Sequence, residues 1–201
     1  MKKKIGIMGG TFNPIHLAHL QMASIAMEQK ELDEVWFMPS KNPPHKDRQT
    51  ILSEKIRSDM VRLAIKEEER FCFSDFELKR NGTTYTAETL ELLRKEYPDV
   101  SWYFIMGADS FFSFSNWYHP EVIAKDAVIL TVSRDGVDGQ KMQEQARKLT
   151  RQYHGQFHIL SMKQFAISSS EIRRKLKAGE SVEAMLPDKV WQYIQKNHYY
   201  Q

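Results

Sequence analysis

Short apolar runs alternate along this chain with segments in which apolar residues recur every three or four positions. The runs are continuous and rich in strand-forming residues, a pattern typical of strands that are buried on both faces. We predict strands at 4–8, 35–38, 102–106 and 127–132, with weaker candidates at 71–78 and 157–160.

Helical periodicity fills the intervals between these runs. Apolar stripes predict helices around 56–64 and 90–97, the second ending before Pro98. A polar helix at 142–153 should lie on the surface. A capping box at Ser168 opens a helix ending at Gly179, and Pro187 precedes a last helix.

This alternation predicts an α/β fold, a Rossmann-like doubly wound parallel sheet. We expect one domain over residues 1–201, with a small helical C-terminal part over about 168–201. In such folds ligands bind beyond the carboxyl ends of the strands, so we expect functional residues in the loops that follow the strands.

The segment after the first predicted strand, GGTFNPIHLAH, has the features of an anion site. Gly9 and Gly10 allow a tight turn, and Asn13 and Pro14 predict a helix beginning near Pro14, whose free N–H groups attract a phosphate. His16 and His19 would share one helix face and point at the same phosphate. Two alternatives remain: a plain turn, and a metal pair that no nearby carboxylate or cysteine completes.

A second candidate anion site is predicted near the other end of the chain. Ser168, Ser169 and Ser170 place three hydroxyls at a helix start, and Arg173 follows about one turn later. The alternative is an ordinary serine cap followed by a basic, solvated face.

Composition narrows the function classes. The chain has 201 residues, 41% hydrophobic and 27% charged, as expected of a folded globular protein. It has no apolar run long enough for a membrane span, and its first apolar run is too short for a signal peptide. One cysteine excludes an internal disulfide and indicates a cytoplasmic protein. The net charge of +3 is too small to indicate nucleic-acid binding.

The two anion segments resemble motifs of the nucleotidylyltransferase superfamily. GGTFNPIHLAH resembles G-x-F-x-P-x-H-x-G-H, with Ala18 for a glycine, and ISSSEIR resembles I-S-S-T-x-I-R. The resemblance implies catalytic roles for His16, His19 and Arg173 on a nucleoside triphosphate. The ATP-binding residues that it implies are Gly9, Gly10, Thr11, Phe12, His16, His19, Gly107, Asp109, Arg134, Ser168, Ser169 and Arg173.

Middle segments resemble the bacterial nicotinate-nucleotide adenylyltransferase branch of that superfamily. FELKRNGTTYTAETLELL and FIMGADSFFSFSNWYHPEVI are similar to its acceptor-binding segments, although Asn116 replaces a lysine and Asp135 a proline of later motifs. The acceptor-binding residues that the resemblance implies are His45, Lys46, Thr84, Tyr85, Thr86 and Trp117.

The implied reaction joins ATP and nicotinate mononucleotide, with Mg²⁺ bound mainly through ATP and no protein metal site. Two alternatives stay open. A phosphopantetheine adenylyltransferase would share the phosphate motifs but lack the TTYTAET and NWY segments. A non-catalytic nucleotide- or RNA-binding module would need no second phosphate anchor. The sequence leaves the oligomeric state open, a homo-oligomer included.

Overall fold

A parallel β-sheet forms the centre of the molecule. The computed structural model describes residues 2–41, 51–134, 139–162 and 167–201. Within these ranges the sheet has six strands in the order β3-β2-β1-β4-β5-β6, and every neighbouring pair is parallel. The strands are β1 (Lys3–Gly10), β2 (Glu34–Pro39), β3 (Phe71–Phe73), β4 (Val100–Met106), β5 (Val128–Arg134) and β6 (Phe157–Met162).

Helices cover both faces of this sheet. They are α1 (Leu17–Lys30), α2 (Glu54–Ile65), α3 (Thr86–Glu96), α4 (Ala108–Phe112), α5 (Pro120–Asp126), α6 (Gly139–Tyr153), α7 (Ser169–Lys177) and α8 (Asp188–Asn197). Helices α1, α2, α7 and α8 pack into one hydrophobic cluster, and α3 to α6 pack into another. Successive strand residues alternate between the clusters, which is why the strand runs are continuously apolar.

The predicted doubly wound α/β fold is confirmed. The segment predicted as a weak strand over 71–78 is shorter than expected, because β3 ends at Phe73. The N–H of Ser74 still donates to the carbonyl of Phe37 (2.9 Å), and the chain then leaves the sheet through turns. The C-terminal helices α7 and α8 share the cluster of α1 and α2.

The turn after β1 lies further along the chain than predicted. The strand runs through Gly9 and Gly10, which pair with β2, and the left-handed residue is Phe12 (φ 49°). A Cβ on Gly10 would come within 3.2 Å of the Phe12 ring, so this glycine makes room for the ring. The predicted tight turn at the glycine pair is therefore wrong, because both residues belong to the strand ladder.

Helix α1 also begins later than predicted, at Leu17, with His16 as its N-cap. The peptide bond before Pro14 is cis. Asn13 does not cap the helix because its side-chain oxygen accepts hydrogen bonds from the Leu52 N–H (3.2 Å) and the Tyr200 hydroxyl (2.8 Å). The capping position passes to His16, which brings both histidines into the first turn.

Arg57 of α2 ties three backbone segments together beneath the carboxyl ends of the strands. Its side chain is 1% exposed. Its Nη1 donates to the carbonyl of Thr11 (2.7 Å), Nη2 to that of Ser40 (2.9 Å) and Nε to that of Leu52 (3.0 Å). The guanidinium fork therefore fixes the turn after β1 relative to the segments that follow β2 and precede α2.

Replacement of this buried fork should destabilise the fold. Arg57→Met keeps most of the side-chain volume but leaves three carbonyls without their donor, so we expect a loss on the order of 3 kcal/mol in the free energy of unfolding. Urea denaturation measures it. The control is Arg62→Met in the same helix, where an exposed guanidinium lies over the Phe73 ring. Equal losses in the two variants would contradict the role of Arg57.

Candidate active site

A cavity of about 220 Å³ opens at the carboxyl ends of β1 and β4. Gly9 and Gly107 contribute backbone to its wall, and His16 and His19 contribute imidazole rings. Ile167, directly before α7, also lines it, so segments far apart in the sequence reach the cavity. The place agrees with the rule that ligands of such sheets bind beyond the carboxyl ends of the strands.

The two histidines form a stacked pair at the start of α1. Their ring centroids are 3.7 Å apart with the planes tilted by 27°. The backbone N–H of His16 donates to Nδ1 of His19 (3.3 Å), so the proton of a neutral His19 ring is assigned to Nε2. The Phe12 ring packs against the His19 ring in a T-shaped arrangement, with the ring centroids 5.1 Å apart, and supports it from the core. The pair is thus held in place before any ligand binds.

His16 is neutral at physiological pH in this structure. Its side chain is 5% exposed, and burial lowers its pKa from 6.5 to about 4. Nδ1 of His16 makes no hydrogen bond within the described ranges. A polar atom buried without a partner beside a cavity is a candidate contact for a ligand.

The N-terminus of α7 lies against the turn after β1. The Ser169 hydroxyl donates to the carbonyl of Pro14 (2.9 Å), and Nη1 of Arg173 donates to the carbonyl of Asn13 (2.8 Å). Ser168 caps the helix by accepting the N–H of Glu171 (3.2 Å). The two segments predicted as anion sites, over 150 residues apart in sequence, are therefore neighbours in the fold.

A larger cavity of about 660 Å³ lies beside the first. Both cavities are lined by Gly9, Phe104, Ser110 and Trp117. The larger one extends to the N-terminus of α3, where its walls are formed by the predicted acceptor residues Thr84, Tyr85 and Thr86, and by Gly10 and Thr11 of the turn after β1.

The helix end that faces the larger cavity lacks a side-chain cap. Tyr85 is the N-cap of α3 and makes no capping hydrogen bond, so the first-turn N–H groups have no partner within the helix. Such an end favours an anion. Trp117, partly buried against Phe104 (6.0 Å between centroids), presents an aromatic surface to the same cavity, and Tyr118 packs on Tyr85 at 4.3 Å.

Glu77 is a residue of this cavity that the sequence reasoning did not select. Its carboxylate accepts the hydroxyls of Thr89 (2.9 Å) and Thr84 (3.1 Å). Burial raises the pKa of Glu77, and these two hydrogen bonds oppose the rise. Glu77 is the second residue of the segment FELKRNGTTYTAETLELL, and the family resemblance of that segment could have indicated it.

Other predicted residues lie elsewhere. The Phe12 side chain is 2% exposed and belongs to the core, so only its backbone is available to a ligand. Asp109 is exposed on α4 and lines neither cavity. His45 and Lys46 lie outside the described residues, as does the side chain of Arg134.

Two departures from the family motifs line the cavities. Ala18 is 5% exposed and borders the smaller cavity, where its methyl group narrows the space without adding a polar atom. Asn116 borders the larger one. The third departure, Asp135, lies outside the described residues.

The donors around the smaller cavity suit an anion. They are imidazoles and backbone N–H groups, and the Arg173 guanidinium lies against the adjoining turn after β1. In the part of the chain that the structure describes, no three His, Cys, Asp or Glu side chains are grouped as a metal would need. No described helix is both long and apolar enough to cross a membrane.

The fold and these two cavities define a nucleotidyl-transferring class of α/β protein, and comparison with known proteins agrees. The cytidylyltransferase-like family model matches residues 7–175. A relative from Lachnoclostridium phytofermentans is 40% identical over 98% of this chain and 99% of its own, and one from Clostridium acetobutylicum is 39% identical over the full length of both. Both are named probable nicotinate-nucleotide adenylyltransferases.

The chain therefore belongs to the cytidylyltransferase-like family and, within it, to the nicotinate-nucleotide adenylyltransferases. A solved structure of the Plasmodium falciparum nicotinic acid mononucleotide adenylyltransferase with NaAD shares the fold. It has a TM-score of 0.82 and 19% identity, covering 98% of this chain and 97% of the other.

The low pKa of His16 predicts an acid-sensitive stability. The unfolded histidine takes up a proton as the pH falls below 6.5, whereas the folded one does so only near pH 4, so stability is lost as the pH falls through this window. Between pH 7 and pH 5 we expect wild type to lose about 2 kcal/mol more than His16→Gln. Urea denaturation at both pH values tests this, and equal losses in the two proteins would contradict it.

Proposed function

We propose that this chain joins ATP and nicotinate mononucleotide to give deamido-NAD and pyrophosphate. The observation that carries the proposal is the pair of adjoining cavities that share Gly9 and Trp117. One has two imidazoles at a helix start, which suits a triphosphate. The other has an uncapped helix end beside an indole, which suits a ring that carries a carboxylate. Family membership supports the same reaction.

The proposed chemistry is in-line transfer at the α-phosphorus of ATP. An oxygen of the mononucleotide phosphate forms a bond to this phosphorus as the bond to the bridging oxygen of the leaving pyrophosphate breaks. The attacking oxygen is already anionic, so no strong general base is required. Catalysis then depends on positioning and on stabilising the charge of the transferring and leaving groups.

The residues around the smaller cavity have matching roles in this proposal. His16 and His19 would donate to the triphosphate as charge develops on it. Arg173 uses Nη1 on the Asn13 carbonyl, so its other N–H groups could donate to the pyrophosphate together with the Ser168 hydroxyl. The Ser169 hydroxyl already donates to the Pro14 carbonyl, so Ser169 would contribute its backbone N–H at the start of α7. Gly107, Asp109 and Arg134 remain proposed contacts of the nucleoside part of ATP.

The acceptor would lie in the larger cavity. The N-terminus of α3, with Thr84, Tyr85 and Thr86, would receive the pyridine carboxylate, and Trp117 would stack on the ring. His45 and Lys46, from the segment after β2, remain the proposed contacts of the mononucleotide phosphate.

We propose Mg²⁺ as the accompanying cation, carried mainly by ATP. The anion-binding donor set described above fits a metal that few or no protein side chains hold, and Mg²⁺ usually keeps substrate phosphates and water as ligands. When bound, it would neutralise charge on the phosphate oxygens.

Cys72, a free thiol, fits the proposed reducing cytoplasm.

The acceptor should be the acid form of the mononucleotide. A helix end offers donors, which suit a carboxylate but leave an amide NH₂ facing other N–H groups. We expect at least ~100-fold higher kcat/KM for nicotinate than for nicotinamide mononucleotide, which corresponds to about 2.7 kcal/mol.

Pyrophosphate release at fixed ATP measures this preference, with phosphopantetheine as a third acceptor. Equal rates with the acid and the amide would contradict the assignment of deamido-NAD as the product, but the chain would still be an adenylyltransferase. A preference for phosphopantetheine would favour a phosphopantetheine adenylyltransferase. If none of the three acceptors gave pyrophosphate release, a non-catalytic binding module would be favoured.

The histidine pair should act on the chemical step. His16→Ala and His19→Ala each remove one donor from the triphosphate side, and a loss of ~100–1000-fold in kcat is expected, with a smaller change in KM for the mononucleotide. Steady-state kinetics on variants with a wild-type circular dichroism spectrum measures both. The proposed role would be wrong for either histidine whose variant retains the wild-type kcat.

A further inference from the structure

Glu77 lies on the wall of the larger cavity with both carboxylate oxygens engaged. Oε1 accepts the hydroxyl of Thr89 (2.9 Å) and Oε2 that of Thr84 (3.1 Å). Both threonines are buried, with exposures of 3% and 6%, and both line the same cavity. One side chain thus links a residue directly before the N-cap of α3 to a residue one turn inside the helix.

Arg80 sets the direction of one of these hydrogen bonds. Its Nη1 donates to the hydroxyl oxygen of Thr89 (2.9 Å), and Nη2 lies 2.5 Å from a carboxylate oxygen of Glu88. Because a guanidinium only donates, the Thr89 hydroxyl accepts from Arg80 and uses its own proton for Glu77. The hydrogen bonds therefore run in one direction, from Arg80 to Thr89 and from Thr89 to Glu77, and the carboxylate of Glu77 is the final hydrogen-bond acceptor.

The same contacts explain how an acidic residue is tolerated beside a proposed anion site. An unpaired carboxylate on this wall would repel an anionic ligand and would be costly to bury. Two hydroxyl donors and the nearby Arg80 charge offset part of that cost, although burial still raises the pKa of Glu77. The first-turn N–H groups of α3 are then not needed to satisfy Glu77 and stay available to the cavity.

We propose that Glu77 is a positioning residue for the acceptor: through Thr84 and Thr89 it fixes the N-terminus of α3 in the orientation that receives the acceptor carboxylate. This inference rests on the proposed function, because it assumes that the larger cavity takes the mononucleotide. It assigns Glu77 no contact with the reacting atoms.

The experiment compares Glu77→Gln, Thr84→Val and the double variant. Glutamine keeps the shape of Glu77 but replaces one acceptor oxygen with a donor NH₂. We expect each single variant to raise KM for nicotinate mononucleotide about 10-fold, with kcat and KM for ATP within about twofold of wild type. Since Glu77 acts through Thr84, the double variant should raise KM by far less than the product of the two single effects.

The matched control is Glu91→Gln, the same change on the exposed face of α3. It should leave all three kinetic constants at wild-type values. A second variant, Glu77→Asp, keeps the charge but shortens the side chain by one methylene, so it cannot reach both threonines. It should also raise the acceptor KM, whereas a purely electrostatic role would leave that KM unchanged.

Binding measured by calorimetry supplies a readout besides turnover. The Kd for nicotinate mononucleotide should rise in Glu77→Gln by the same factor as KM, with the unfolding midpoint in urea reported alongside. Unchanged acceptor affinity, multiplicative effects in the double variant, or an equal rise in KM for ATP would overturn the inference. Absence of pyrophosphate release by wild type would instead count against the proposed function.

Discussion

The oxygen atoms of Asn13 hold four separate parts of the chain together at one end of the sheet. The backbone oxygen accepts from Arg173 of α7 (2.8 Å), and the side-chain oxygen accepts from the N–H of Leu52 and from the Tyr200 hydroxyl. Burial raises the pKa of Tyr200, so its hydroxyl keeps the proton that it donates. The turn after β1, the segment before α2, helix α7 and the C-terminal residues therefore meet at this one residue.

This arrangement shows why the site needs the whole fold. A parallel sheet brings the carboxyl ends of β1 and β4 side by side, so residues far apart in sequence form the two cavities. Arg57 and Asn13 then fix the connecting segments by hydrogen bonds to backbone carbonyl and N–H groups. Because such bonds constrain the main chain directly, they can hold a binding surface whose own side chains must stay available to the ligand.

The sequence was sufficient to predict the layers, because apolar runs and helical stripes report burial on each face directly. It was insufficient for the turn after β1, where glycine and asparagine preferences indicated a turn at Gly9 and a cap at Asn13. There tertiary contacts prevailed: Gly10 makes room for the Phe12 ring, and Asn13 bonds to segments 39 and 187 residues away. Glu77 was missed for a related reason, since an acidic residue in a polar stretch predicts solvent exposure unless its buried threonine partners are known.

The stacked arrangement of the two histidines depends on the burial of His16. Two imidazolium rings with centroids 3.7 Å apart would repel, so the stacked arrangement requires at least one neutral ring. Burial provides it by lowering the pKa of His16 to about 4. A triphosphate in the cavity would act in the opposite direction, because negative charge near a buried imidazole favours its protonated form. The site can therefore be assembled with a neutral His16 ring and still respond to the charge of its ligand, which a permanently charged lysine pair at the same spacing could not do without repulsion in the empty state.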